Sequence, residues 1–298
     1  MKSAGRFRFT GAAIAVLTTL AFITMSGCGE KKPEGPSLNA AIVPGADVTI
    51  HVDVASARGS AIGKMIEEFQ ESEGVNAPVP VPESETWEKL MKATGLEKDD
   101  LTEILATADV GSIDPDALDN EDEILKIGGV LAFGLAKPLS REQMKAGFDV
   151  LSAEDPDVKV SEITVGGEPA FKLSSAQPDQ PEVLCAPAAD EKSVFFSLNE
   201  SSLLGALERA KSGKFESISS ELVGVDQQLA AGSQVRWAFL LSESQRQEIR
   251  AKIDELEEQA QSEPGAAGMI IGFVKPFRDI KSVAMGLLLA KDMGVTLT

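Results

Sequence analysis

Two adjacent glycines constrain this chain more than any other short feature. In DVKVSEITVGGEPAFKLSS, Gly166 and Gly167 separate two strand-like runs. A two-residue connection is the mark of a hairpin, so these runs must pair antiparallel. The runs EVLCAP and KSVFFSLN are placed to pair in the same way. Upstream, Val48, Ile50, Val52 and Val54 alternate with Thr49, His51 and Asp53, the period-two pattern of a half-buried strand. LKIGGVLAFGLA reads as a longer apolar strand.

Helical spacing interrupts these strands. It predicts a helix from Ser60 to Gln70 with Ile62, Met65, Ile66 and Phe69 on one face, and another from Glu83 to Thr94 stopped by Gly95. Leu96 to Thr107 reads as a third, short helix, and Ser140 caps a fourth that runs through Leu151. Asn199 or Ser201 caps a helix ending near Gly213, and residues 245–261 form the clearest helix of all. Strands joined by hairpins with helices interspersed define an α+β fold, with largely antiparallel sheets and packed helices.

The C-terminal third repeats part of this plan. VPGADVTIHVDV and AAGSQVRWAFLL share a glycine followed by an alternating strand, and each leads through a helix to a Gly-rich apolar strand, ILKIGGVLAFGLAK and IKSVAMGLLLAK. The expectation is a partial internal duplication, with a main α+β region over 41–215 and a shorter second half over 216–298. The short half has too little of its own to bury a sheet, so both are expected to share one core.

The first thirty residues follow different rules. Lys2, Arg6 and Arg8 precede an apolar stretch from Gly11 to Ile23, and no acid occurs before Glu30. This is the region order of an export signal. The ending Met25-Ser26-Gly27-Cys28 resembles the lipobox of bacterial lipoproteins. That resemblance implies cleavage after residue 27, diacylglycerol on the Cys28 thiol and acylation of its new amino group. The uncharged run from Phe9 to Gly29 is also long enough for an uncleaved anchor, the alternative reading. Residues 28–40 then hold the lipidated cysteine and a flexible tether, since GEKKPEGPS has no apolar side chain to dock. Gly29 stands where the family places Asp for inner-membrane retention, so the resemblance implies the outer membrane of the cell envelope.

Charge agrees with a lipid-held address. The 298-residue chain has 47 acids against 28 bases, a formal charge of −19. Such a body is repelled by nucleic acid and by anionic bilayers, so the expected contact with the membrane is the acyl anchor alone. The strand VTIHVDV after Val-Pro and the segment ATGLEKDDL at 93–101 are similar to features of uncharacterised bacterial envelope-protein families, a resemblance that brings no catalytic residues with it.

Residue counts narrow the chemistry further. His51 is the only imidazole, and Asp53 shares its strand face, but no G-x-S-x-G elbow supplies a nucleophile. With Cys28 acylated, Cys185 lacks a disulfide partner and reads as a small apolar residue, and zinc lacks a ligand set. Asp114, Asp116, Asp119 and Asp122 form an acidic loop of hard oxygens suited to calcium, in a register that departs from the EF-hand. Gly128-Gly129 and Gly166-Gly167 lack the phosphate-loop pattern, and Trp87 and Trp237 read as core residues. On the 245–261 helix, Ile249, Ile253 and Leu256 make a narrow stripe that either packs on the sheet or receives a partner, flanked by Glu248–Lys252 and Arg250–Asp254 pairs. These readings favour a non-enzymatic binding or scaffolding module for an envelope protein. A carboxylate-only hydrolase and a calcium-dependent adhesion protein are the alternatives.

Overall fold

The structure is a computed structural model that describes residues 38–60, 84–110, 128–176, 181–214, 222, 233–262, 271–272, 274–289 and 293–297. A 3-10 turn at Leu38–Ala41 precedes β1 (Val48–Asp53), α1 (Val54–Gly59) and α2 (Ser84–Thr94). A second 3-10 turn, Lys98–Asp100, enters β2 (Leu101–Asp109), followed by β3 (Gly128–Leu135) and α3 (Arg141–Glu154). Four strands come next: β4 (Val158–Val165), β5 (Glu168–Ser175), β6 (Val183–Pro187) and β7 (Ser193–Ser197). The chain continues through α4 (Glu200–Ser212), β8 (Val235–Leu240), α5 (Glu243–Ser262), β9 (Ser282–Leu289) and β10 (Met293–Leu297). All ten strands join one sheet in the order β10-β9-β8-β1-β2-β3-β7-β6-β5-β4, every pair antiparallel. The fold is α+β with an antiparallel sheet.

The glycine hairpin has the predicted geometry. Val165 faces Glu168, and Gly166 and Gly167 both take positive φ, +58° and +86°. An added Cβ at Gly166 would lie 2.1 Å from Leu204 Cδ1 on α4, so the turn is also pressed against a helix. The β6–β7 pair forms as expected, with Leu184 opposite Ser197.

One element departs from its predicted type. Leu96–Thr107 was expected as a helix, because Leu101, Ile104 and Leu105 repeat at helical spacing. The chain instead makes a short turn and then β2, in the middle of the sheet. Both faces of β2 are covered, so Leu101, Thr102, Ile104 and Leu105 are all buried and the period-two signal disappears. Apolar spacing alone cannot separate a doubly buried strand from a helix.

Helices stabilise both faces. On one, Leu203, Ala206 and Leu207 of α4 and the Leu38–Ala41 turn pack over Leu105, Ala132, Ala170, Ala186 and Phe195. On the other, Met144 and Phe148 of α3 pack over Ile104, Phe133, Phe171, Cys185 and Val194. α2 lies against α3, where Gly147 leaves room for Leu90 and Thr94. Sequence-legible caps start these helices. Ser140 and Gln143 form a reciprocal capping box, Asn199 accepts from Ser201 and Ser202, and Gly213 ends α4 at φ +63°. Of the helix expected over 60–70, Ser60 is an extended C-cap of α1 and the rest lies outside the described residues, as do the Cys28 anchor and the acidic loop. Of the tether expected over 28–40, the end is no tether, because Leu38 and Ala40 are buried in the 3-10 turn; the part up to residue 37 lies outside the described residues.

The strand order has a two-fold pattern around the first of the two matched segments. From its middle outward, β10-β9-β8-β1-β2-β3 reads as two three-strand meanders meeting at β1 and β8. Sliding the chain so that Gly45 meets Gly232 carries Ile50 onto Trp237, and these two residues stand opposite each other in the β1–β8 ladder. An antiparallel pair has a local two-fold axis at such a point, so the repeat and the ladder share one centre. The second matched segment needs correction. IKSVAMGLLLAK supplies β9, which lies beside β8 as β2 lies beside β1, so its counterpart is β2 and the counterpart of β3 is β10.

Candidate functional site

The two-fold centre carries a different chemistry on each face of the sheet. On the α4 face, His51 of β1 sits between Arg236 of β8, directly opposite, and Glu103 of β2, diagonally placed. Arg236 donates from Nη2 to His51 Nδ1. The neutral ring therefore carries its proton on Nε2, which donates to Glu103 Oε1. The His51 and Glu103 side chains are both largely covered.

Asp53, which shares the strand face of His51 in sequence, is not its partner. Asp53 turns to the start of α1, where its carboxylate accepts from Ser56 N at 2.9 Å and Ser56 Oγ at 2.7 Å. Both imidazole nitrogens are engaged by Arg236 and Glu103, which leaves neither to take a proton from a nucleophile. The nearby Thr107 hydroxyl donates to Ala41 O at 2.7 Å and accepts from Val43 N at 3.3 Å. The geometry suits a polar clasp across three strands. Glu103 and Arg236 were not legible as partners of His51, because only the strand order brings residues so far apart in sequence together.

The opposite face is apolar and open at the same centre. Ile50 and Trp237 oppose each other and are 38% and 44% exposed. Register puts Val48, Phe239, Val283, Met285 and Leu287 on this face, all half-buried. The reverse side of the same strands holds Ala238 and Ala284, each 1% exposed, packed with Leu222. At these two positions small residues face the closed side, beside Leu240, while Trp237 and Met285 face the open side. Burial of large apolar surface is the stabilising direction, so Ile50 and Trp237 stand out as large apolar side chains left exposed, while Val52 and Val235 on the same face pack into the core. Trp237, expected in the core, belongs to that open face.

No family model, curated protein or solved structure matches the chain.

The remaining candidate residues have local explanations. Asp114, Asp116, Asp119, Asp122 and Cys28 lie outside the described residues; among those described, no group of three or more His, Cys, Asp or Glu is placed to hold a metal ion. No described helix is long and apolar enough to cross a membrane. On α5, Ile253 is buried and Ile249 and Leu256 are half-buried. The Glu248–Lys252 pair forms at 2.6 Å, whereas Arg250 reaches Asp279 at 3.5 Å and Asp254 pairs with Arg278 at 2.8 Å. Those ion pairs tie α5 to the 3-10 turn Lys275–Asp279. Cys185 is fully buried, and burial pushes its thiol well above the usual range.

Arg58 is the least satisfied buried group. It is 4% exposed, its Nη1 lies 3.5 Å from Asp99, and its Nε and Nη2 have no hydrogen-bond partner. Desolvation lowers its pKa from the usual arginine range to about 10, against the opposing pull of Asp99 and Asp100.

Proposed function

We propose that this chain is a lipid-anchored protein of the bacterial cell envelope, sited at the outer membrane, and that it binds or scaffolds another envelope component without catalysing a reaction. The open face around Ile50 and Trp237 carries the binding half of this reading. An exposed Trp opposite an exposed Ile, continued by the half-buried Val48, Phe239 and Met285, offers a partner an apolar surface with one large anchor. The address rests on the basic start, apolar stretch and lipobox-like ending at Cys28. Two or more acyl chains make such an anchor durable, while the acidic body gains nothing from lipid headgroups.

Two measurements test the halves separately. Cells fed labelled palmitate should label the wild type and leave Cys28→Ser unlabelled; equal labelling removes the lipid anchor. A photo-crosslinking amino acid placed at Trp237 in living cells should give one discrete heteromeric adduct, lost when Ile50→Glu is added. The same probe at Glu258, on the exposed side of α5, should give none. Absence of any adduct from position 237 at native expression overturns the binding reading.

A further inference from the structure

We infer that β10 is a self-association edge, where the sheet pairs antiparallel with the β10 of a second copy of this chain. The proposal stands apart from the Ile50–Trp237 face, because it concerns main-chain groups at one end of the sheet.

The argument begins with the internal two-fold. β10 is the counterpart of β3, and the outer edge of β3 is taken. Leu131–Gly134 pair with β7, and the Gly129 carbonyl accepts from Ser197 Oγ at 2.6 Å. The outer edge of β10 has no neighbouring strand among the described residues. An edge strand exposes a row of unpaired N–H and C=O groups, which proteins usually guard.

The two ends of this sheet differ in that respect. β4 carries Lys159 and Glu162, and Glu162 is held by Arg141 and by Lys145 from α3. β10 reads Met-Gly-Val-Thr-Leu, with no charge and no proline. It therefore lacks the devices that discourage strand addition.

Three observations select a second copy as the occupant. Every pairing in the sheet is antiparallel, and two identical edges meet antiparallel about a two-fold axis, the closed arrangement of a symmetric dimer. The chain already joins its own two meanders this way at β1 and β8, around Ile50 and Trp237. Charge favours the same end: residues 280–298 contain Lys281 and Lys291 against Asp292, in a chain with 47 acids and 28 bases. The segment around β10 thus adds little of the acidic repulsion that the rest of the chain would bring between two copies. Five residues a side form a small interface, so the dimer should be weak and should dissociate on dilution.

Single-cysteine crosslinking of the full chain tests this. In a Cys28→Ser background, with Cys185 buried, Gly294→Cys, Val295→Cys and Thr296→Cys are oxidised over a range up to about 100 μM. At least one should give a covalent dimer whose yield rises with concentration, and its neighbours should crosslink several-fold less, because only residues near the two-fold meet their own copies. Ser161→Cys on the β4 edge should stay monomeric. Three positions keep the test valid if one variant misfolds. No dimer from any β10 position, equal yields at all three, or Ser161→Cys dimerising as readily, overturns the proposal.

Discussion

At the scale of single residues, Arg58 is the buried group that costs the fold most. The guanidinium is buried beside Asp99, yet two of its nitrogens have no acceptor. A base whose pKa falls on folding destabilises the folded state wherever it is protonated. Here the penalty is full below about pH 10 and fades only as pH rises beyond it. It is therefore constant across the physiological range, and a shift of this size corresponds to about 3 kcal/mol. Asp99 remains mostly in water and the buried Asp100 keeps Lys137 at 3.2 Å, so deleting the arginine strands neither carboxylate. Arg58→Met keeps most of the apolar stem and should raise stability by about 1–3 kcal/mol in urea unfolding at neutral pH. A less stable variant would mean that the guanidinium has a stabilising partner in the folded protein. His51 makes the opposite case: it is the most reactive side chain by type, and it is occupied at both nitrogens.

Among elements, what could be read in advance depended on whether a feature was local. The Gly166-Gly167 hairpin, the Ser140 and Asn199 caps and the Gly213 stop are set by neighbouring residues, and each stands where the sequence placed it. β2 was misread because its burial on both faces is decided by helices far away in sequence. Trp237 was misread for the related reason that a tryptophan in a strand carries no mark of which face stays open. The sheet's order, and with it the Glu103–His51–Arg236 clasp, needs the whole chain. The hairpin gives a sharp test because its two glycines differ. A Cβ at Gly166 meets Leu204, whereas at Gly167 nothing lies within 4 Å. Gly166→Ala should cost about 2 kcal/mol through positive φ and overpacking, while Gly167→Asn should change stability by less than about 0.5 kcal/mol. Equal effects in thermal unfolding would show that α4 does not press on the turn.

For the whole molecule, the question is what β8 is worth to β1. The two strands share five residue pairs, Val48–Val52 against Val235–Phe239, at the point where the two meanders join. Around that seam, Asp53 N donates to Gln234 O at 2.7 Å and Leu240 N donates to Asp47 O at 2.7 Å. The Arg236–His51 bond crosses it as well. Residues 216–298 alone would expose the β8 edge, with its row of unpaired main-chain groups; among the described residues they would keep as a core the small cluster around Leu222, Ala238 and Ala284, with Ile253 of α5. Burial on that scale does not offset the conformational entropy of ordering some eighty residues, each costing about 1–2 kcal/mol. Expressed by itself, 216–298 should therefore show no cooperative melting transition. Co-expressed with 38–215, it should co-purify and melt together with it in a single step. The reason is that β1 supplies both the missing ladder and the acceptors at 47 and 51. A 216–298 fragment that melts cooperatively alone would make the β1–β8 ladder a contact between two independent bodies. In that case the open apolar face at Ile50 and Trp237 would be a hinge between them and no longer a fixed platform.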